Sequence, residues 1–249
     1  MSLLEVKELS KSFADRPILQ DIRFSLEEGE TLALLGDSGV GKSTLFNVIS
    51  GFLLPDQGEV LLEGKSVLGR TGHFSYMLQK DLLLPHLKII DNVSLPLRIR
   101  GMGKREARAK ASPYLKEFGL EGTGRQYPNQ LSGGMRQRAA FLRTYLASGR
   151  IMLLDEPFSA LDGVIKKELI AWYREAAKHF GLSTLFITHD IEEALLLADE
   201  ILLLQGKPGT IRGRFRPNLS KRKGMELEED FFQTKKEIAR QFQSGYASY

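Results

Sequence analysis

The sequence has 249 residues, of which 42% are hydrophobic and 27% are charged, and its formal net charge is +4 at pH 7. These proportions are ordinary for a globular protein. The absence of cysteine excludes a disulfide framework and thiolate chemistry. No apolar run approaches the ~20 residues that span a bilayer, and the N-terminal MSLLEVKELS is not a signal peptide. We therefore expect a cytoplasmic protein unless a partner holds it at a membrane.

The basic residues concentrate in two stretches, 101–110 (GMGKREARAK) and 212–223 (RGRFRPNLSKRK). Such clusters can bind nucleic acid, but more often they are simply solvated faces. We therefore expect no nucleic-acid partner.

The first sixty residues contain short strand patterns. The stretches 3–10 (LLEVKELS) and 22–29 (IRFSLEEG) alternate apolar and polar residues, and 58–64 (GEVLLEG) follows with glycines at its ends. We interpret this region as an N-terminal antiparallel β subdomain. The stretch 31–36 (TLALLG) differs, because its continuous apolar run is typical of a central strand covered on both faces.

Three further continuous apolar runs follow at 151–156 (IMLLDE), 183–190 (STLFITHD) and 200–205 (EILLLQ). Helical patterns separate them. The clearest places apolar residues at a helical period and ends at Gly181, which suits a C-cap; its apolar positions are Ile165, Leu169, Trp172, Tyr173, Ala176 and Phe180. Strands that alternate with helices predict an α/β fold with a largely parallel sheet.

One region interrupts this alternation. Residues 85–147 are helical and basic in pattern, and we interpret them as a helical subdomain inserted into an α/β core formed by 1–84 and 148–215. Residues 216–249 form a charged, partly helical C-terminal tail.

The stretch 36–44 (GDSGVGKST) matches G-x-x-x-x-G-K-[ST] and lies between an apolar strand and a helical pattern, which is the context that a phosphate-binding loop requires. Its glycines let backbone amides face phosphate oxygens, and the following helix N-terminus favours negative charge. Lys42 is expected to reach the β- and γ-phosphates and Ser43 to bind Mg²⁺. The candidate nucleotide-binding residues are Gly36, Asp37, Ser38, Gly39, Val40, Gly41, Lys42, Ser43 and Thr44.

Polar residues end three further apolar stretches. Asp155 and Glu156 close a buried strand, where open α/β sheets place ligands, so Asp155 is expected to hold Mg²⁺ and Glu156 to polarise the attacking water. His189 closes another strand at the predicted same edge and is a candidate for a γ-phosphate contact. Gln79 ends a short apolar stretch and could bind Mg²⁺ or position water.

Two more features fit this chemistry less directly. Phe13 precedes the phosphate loop and could stack on adenine, although a core position is an equally good interpretation from the residues alone. In LSGGMRQR, Ser132 can cap the helix that follows, and Gly133 and Gly134 let its first amides approach an anion. An ordinary helix start with glycines for packing is the alternative.

Taken together, these motifs occur in the order found in the nucleotide-binding subunits of ATP-binding cassette (ABC) transporters, which the chain resembles from about residue 3 to residue 206. In that family LSGG is the signature motif, and the fold is a P-loop NTPase core. The resemblance implies that ATP and Mg²⁺ are bound, that Phe13 stacks on adenine, and that Asp162 in SALD lines a subunit interface.

The same resemblance implies partners. We expect a head-to-tail, ATP-dependent homodimer in which each signature motif covers the ATP on the other subunit's phosphate loop. The segment 79–86 is expected to dock on integral membrane permease subunits, and through them the protein would serve an extracytoplasmic solute-binding protein. This places it peripherally at the cytoplasmic face of the cell membrane.

Finer features resemble the nitrate, sulfonate and taurine-type importer ATPases, namely 82–101 (LLLPHLKIIDNVSLPLRIRG) and PGTI at 208–211. The expected function is thus ATP hydrolysis for import of a small solute of that type. An alternative is a soluble ABC ATPase acting on ribosomes or DNA, but those relatives usually carry two cassettes or a long coiled-coil insertion. A small-molecule P-loop kinase would leave LSGGMRQR and SALD unexplained.

Overall fold

A computed structural model describes residues 2–147, 150–217 and 225–244. The strands within these residues are, in chain order, β1 (Ser2–Phe13), β2 (Arg16–Glu27), β3 (Thr31–Leu35), β4 (Gln57–Leu62), β5 (Lys65–Ser66), β6 (Phe74–Met77), β7 (Ile151–Asp155), β8 (Ser183–Thr188), β9 (Glu200–Gln205) and β10 (Thr210–Phe215).

The α-helices in the same residues are α1 (Lys42–Ile49), α2 (Ile89–Val93), α3 (Leu95–Ile99), α4 (Lys104–Glu117), α5 (Gly133–Leu146), α6 (Gly163–Phe180), α7 (Ile191–Leu197) and α8 (Met225–Ser244). Two short 3₁₀ helices cover Thr123–Arg125 and Pro128–Gln130. None of the described helices combines the length and apolar character needed to cross a membrane.

The chain divides into two compact units, residues up to 73 together with those from 181 onward, and residues 74–180. In the first unit, β2, β1, β4 and β5 form an antiparallel sheet in that order. A second set of strands places β3 between β8 and β9, parallel to both, with β10 antiparallel to β9. These strands confirm the predicted α/β fold and its antiparallel N-terminal part.

Burial in these strands follows the hydropathy patterns. Every residue of β3, β8 and β9 is buried, as the continuous apolar runs predict for strands covered on both faces. Strand β2 alternates buried and exposed residues from Ile22 to Glu27, as a half-buried strand should. The core of the first unit therefore lies on both sides of β3.

The C-terminal helix α8 packs within the first unit. Ile238 is fully buried, and Lys235 forms an ion pair with Glu192 on α7. The Gln205 amide, at the end of β9, donates to the carbonyls of Gln241 and Phe242 at 3.3 and 3.0 Å. The tail is thus helical over much of its length; its predicted basic residues 218–223 and the last five residues lie outside the described part of the chain.

The second unit pairs β6 in parallel with β7 and contains the helices α2 to α6. Residues 85–147, all of which the structure describes, hold helices and no strand, as their sequence pattern indicates. A run of packed aromatic rings fills the space between α4, α5 and α6; it includes Phe118, Phe141, Tyr145, Phe158, Trp172, Tyr173 and Phe180. The predicted helix over 165–180 is present and begins at Gly163.

Candidate nucleotide-binding and hydrolysis site

The phosphate loop, residues 36–41, joins β3 to α1 and can be built only with glycine at its two ends. A Cβ at Gly36 would lie 2.5 Å from the carbonyl oxygen of Leu204. Gly41 has a φ of 107°, and a Cβ there would lie 2.8 Å from a methyl group of Leu19. Gly36 is therefore required by the close approach of the Leu204 carbonyl, and Gly41 by its positive φ.

Lys42 is buried at the start of α1, and its ammonium donates to the carbonyl oxygens of Gly36 and Asp37 at 2.6 and 2.7 Å. The charge is thus held against the loop rather than in bulk solvent. The first turn of α1 contains no acidic residue, and Ser43 is exposed beside it. Amides at a helix N-terminus and a fixed cation, with no carboxylate in that turn, fit the phosphates of a nucleotide.

Two other candidate residues of the first unit are accessible. His189 directly follows β8 and is exposed. Phe13 lies at the end of β1, beside the turn to β2, and is 48% exposed, with the Lys11 ammonium 5.6 Å from the centre of its ring. This exposure excludes the alternative that Phe13 is a core residue and leaves its ring available to a planar ligand.

In the second unit, the structure brings Gln79 and Glu156 together. The Gln79 amide nitrogen lies 3.3 Å from a carboxylate oxygen of Glu156 and 3.3 Å from the hydroxyl of Ser159. The Ser159 hydroxyl in turn donates to the Glu156 carbonyl at 3.0 Å. Glu156 has a φ of 44°, an uncommon conformation for a non-glycine residue that strain at functional sites often explains.

Asp155 ends β7 and has a partner that sequence reasoning missed. Tyr76 lies on β6, opposite Leu153 of β7, and its hydroxyl hydrogen-bonds to Asp155. Burial, followed by the charge of Asp155 and this hydrogen bond, raises the pKa of Tyr76 well above its ordinary value. The hydroxyl is therefore a permanent donor to Asp155. The available signal was a tyrosine in a short, largely buried strand, three residues before Gln79.

The signature segment begins α5. Ser132 is exposed and caps this helix, because its hydroxyl accepts from the Met135 amide at 3.3 Å. A Cβ at Gly134 would lie 3.0 Å from a methyl group of Ile165 on α6, and one at Gly133 would lie 3.4 Å from Leu161. The glycines therefore allow close packing, while the first amides of α5 remain at an accessible helix end.

Asp162 lies just before α6. It is exposed, and its carbonyl accepts from the Lys166 amide at 2.8 Å, which starts the helix. Its carboxylate is therefore available at the surface of the second unit.

The segment 81–91 follows Gln79 and is held from two sides. Arg143 of α5 donates to the carbonyls of Asp81 and Leu82 at 2.5 and 2.7 Å. Fully buried Asn92 accepts from the Leu84 amide at 2.7 Å and donates to the carbonyls of Leu84 and Leu87 at 3.1 and 3.0 Å. The backbone of this segment is therefore fixed.

Its surface remains available. Leu82 has a φ of 45° and is 50% exposed, and Pro85 and His86 are also exposed. The segment thus combines a fixed backbone with accessible side chains.

The candidate residues are thus distributed between the units. The first unit carries Phe13, the phosphate loop and His189, and the second carries Gln79, the signature segment, Asp155, Glu156 and Asp162. Among the described residues, no group of three or more histidines, aspartates or glutamates could hold a metal ion by itself.

Comparison with known proteins identifies the family. Residues 19–159 match the ABC transporter family. The chain belongs to this family. It is 41% identical over 239 residues to the formylaminopyrimidine import ATP-binding protein ThiZ of Halalkalibacterium halodurans, covering 95% of this chain and 93% of ThiZ. It is 40% identical over 226 residues to the taurine import ATP-binding protein TauB of Pseudomonas aeruginosa, covering 89% of this chain and 86% of TauB.

A solved ABC cassette shares the fold. The dimeric structure of MJ0796, a bacterial ABC transporter cassette, superimposes on this chain with a TM-score of 0.72 at 28% identity. The superposition covers 86% of this chain and 99% of the MJ0796 chain. The same cassette is also known in a post-hydrolysis state bound to ADP and Pi. These relationships confirm the predicted ABC ATPase, its ATP binding and its resemblance to taurine-type importer ATPases.

Proposed function

We propose that this ABC ATPase drives import of a small solute as a head-to-tail dimer bound to a separate membrane permease, which receives its solute from an extracytoplasmic binding protein. The closely related sequences named above are import ATP-binding proteins, and the related cassette is dimeric. A solute of the nitrate, sulfonate or taurine type fits this relationship. The site of action would be the cytoplasmic face of the membrane.

The phosphate loop would hold the nucleotide. Lys42 would exchange part of its contact with the loop carbonyls for the β- and γ-phosphates, and the α1 amides would bind phosphate oxygens. Ser43, Gln79 and Asp155 would supply oxygen donors to Mg²⁺, which prefers oxygen and is usually held by one or two protein groups together with phosphates. The bound Mg²⁺ would neutralise charge on the phosphates during hydrolysis.

The observation that carries the hydrolytic assignment is the contact between Gln79 and Glu156. A carboxylate held by an amide at a strand end can accept a proton from water while the amide restrains its direction. His189, exposed at the end of β8, would contact the γ-phosphate. Phe13 would stack on the adenine.

The exposed helix end at Ser132 is the proposed second phosphate-binding element. We infer that it acts in trans, adding α5 amides and positive potential to the ATP on the other subunit's phosphate loop. Asp162 would line the same interface. Hydrolysis then depends on closure of the dimer, so the chemistry can be linked to motion.

The segment 81–91, which overlaps the stretch 79–86 expected from the sequence, is the proposed permease contact. Its fixed backbone resists deformation, so a displacement of its exposed residues would be passed through Arg143 to α5 and the signature. Arg136, also on α5, adds a bond to the Asp81 carboxylate at 3.3 Å and one to the Leu131 carbonyl at 2.9 Å, immediately before Ser132.

Purification of the tagged full-length chain from detergent-solubilised membranes tests the importer assignment. A multi-span membrane protein should co-purify, and its recovery should fall when Leu84 is replaced by Glu. Co-sedimentation with ribosomes or DNA, without a membrane protein, would instead support a soluble ABC ATPase.

A further inference from the structure

Next to His189 lies a buried pair of polar side chains that the proposed site does not use. Thr188 is 1% exposed and Glu193 is 3% exposed. The Thr188 hydroxyl donates to a carboxylate oxygen of Glu193 and accepts from the Asp190 amide at 3.0 Å. Burying a carboxylate costs free energy unless it is hydrogen-bonded, so the bond from Thr188 offsets part of the cost of burying Glu193.

The backbone is held on both sides of His189, and the Thr188 hydroxyl links the two sides through the Asp190 amide. On the N-terminal side, Thr188 is held in β8 opposite Leu35 of β3. On the C-terminal side, the Asp190 carboxylate caps α7, accepting from the Glu192 amide at 2.8 Å and the Glu193 amide at 3.4 Å. His189 is the exposed residue between these two anchors.

Thr188 also touches the entrance of the phosphate loop. Its carbonyl oxygen accepts from the Gly36 amide at 3.3 Å. The carbonyl of Thr188 therefore contacts the loop, and its hydroxyl contacts Glu193 and, through the Asp190 amide, the start of α7.

We propose that Thr188 and Glu193 are positioning residues that set the direction in which His189 leaves β8. The proposal rests on the proposed contact between His189 and the γ-phosphate. Neither residue needs to touch the nucleotide. Their effect on turnover would pass entirely through His189, and this distinguishes the proposal from a role in stability alone.

Two variants remove the contact and two retain it. Thr188→Val keeps the shape of the side chain but loses the hydroxyl, and Glu193→Ala loses the acceptor. Thr188→Ser keeps the hydroxyl, and Glu193→Gln keeps a side-chain oxygen that can accept from Thr188. Asp190 is left unchanged, so the cap of α7 is intact in all four.

ATPase kcat and ATP affinity of the full-length chain are then measured in the natural and His189→Ala backgrounds. We expect Thr188→Val and Glu193→Ala to lower kcat about 10-fold to 100-fold, because a displacement of ~1 Å can cost about 100-fold. ATP affinity should change less than about threefold in these variants. Thr188→Ser and Glu193→Gln, which retain the contact, should keep kcat within about threefold of the natural value. In the His189→Ala background none of the four should lower kcat further.

The outcomes separate the two hypotheses. A normal kcat in His189→Ala alone overturns the proposed role of His189, and this inference with it. If His189→Ala lowers kcat but Thr188→Val and Glu193→Ala cause equal losses in both backgrounds, only the positioning role is overturned.

A spectroscopic measurement does not depend on activity. The chain has four histidines, so the imidazole ¹H–¹⁵N signals can be assigned to His189 by their loss in His189→Ala. Thr188→Val should shift the His189 signals and leave those of His73, His86 and His179 unchanged. Unshifted His189 signals in a folded Thr188→Val protein would contradict the proposal.

Discussion

The side-chain amide of Gln79 lies 3.3 Å from the carboxylate of Glu156, although 77 positions separate the two residues in the chain. The contact joins the end of β6 to the end of β7, which run in parallel. Because the two side chains are in contact, a displacement of the segment after Gln79 would act on the proposed catalytic carboxylate. This gives a physical route from the proposed permease contact to hydrolysis.

Replacing Glu156 by Gln should separate ATP binding from hydrolysis. The amide keeps the shape and hydrogen-bonding capacity of the side chain but cannot accept a proton, so kcat should fall by a factor of roughly 10²–10⁴. ATP affinity, measured by equilibrium binding, should persist. Glu175→Gln, at an exposed position of α6, is the matched control and should hydrolyse ATP normally. Near-normal turnover by Glu156→Gln would refute the assignment.

Removing the Tyr76 hydroxyl should weaken the metal response. Tyr76→Phe takes one donor from Asp155, and we expect the Mg²⁺ concentration for half-maximal ATPase activity to rise, in the same direction as for Asp155→Asn but less. Because its pKa is raised above the ordinary value near 10, Tyr76 stays protonated and the pH profile between about 6 and 9 should not change. A titration of Mg²⁺ at several pH values measures both the Mg²⁺ response and the pH profile. An altered pH profile with an unchanged Mg²⁺ response would contradict a role of Tyr76 as a protonated donor to Asp155.

Charge in the segment 81–91 should uncouple transport. Leu84→Glu or Leu87→Glu places a carboxylate at the proposed permease contact, where desolvation would disfavour docking. Transport in cells should be lost, while basal ATPase activity of the isolated subunit persists. Ile99→Glu, at an exposed position on α3, is a control for added surface charge. Unchanged transport in the Leu84 and Leu87 variants would indicate a different docking surface.

The ion pair of Asp91 and Arg108 should make stability depend on acidity. Arg108 donates two hydrogen bonds to buried Asp91 at 2.8 and 2.7 Å and holds the pKa of this carboxyl below its usual range. A depressed pKa stabilises the fold above the unfolded value near 4, and this contribution is lost as the pH falls through the folded value.

Asp91→Asn should therefore lower the melting temperature at pH 7, by about 2–4 °C for a chain of this size. The difference from the natural chain should shrink as the pH falls below about 4. Glu106→Gln, an exposed position of α4, should show no such difference. A constant difference at all pH values would exclude titration of Asp91 as its cause.

The fold could be predicted where the signal was local. The buried strands β3, β8 and β9 follow directly from continuous apolar runs, and the Ser132 cap follows from a serine before two glycines and a helical pattern. Contacts between distant stretches could not be predicted in this way. Hydropathy does not reveal that β6 pairs with β7, so the Tyr76 contact with Asp155 was missed. The exposure of Phe13 was equally undetermined, because an aromatic residue suits either a core or a ligand surface.

We propose above that Ser132 completes the ATP site of a second subunit. Ser132→Arg places a long cation at the exposed end of α5, where it would block close approach of the other subunit's phosphates while leaving ATP binding by monomers nearly intact. The Glu156→Gln background prevents hydrolysis from dispersing the dimer, and Arg136 stays in place as the link to Asp81.

The most direct measurement is the mass in solution, by light scattering or sedimentation, of Glu156→Gln and of the Glu156→Gln, Ser132→Arg double variant, each with saturating ATP and Mg²⁺. We expect Glu156→Gln to form an ATP-dependent dimer and the double variant to bind ATP but remain a monomer. A stable ATP-loaded dimer of the double variant would show that the signature segment is not a phosphate-binding element acting in trans.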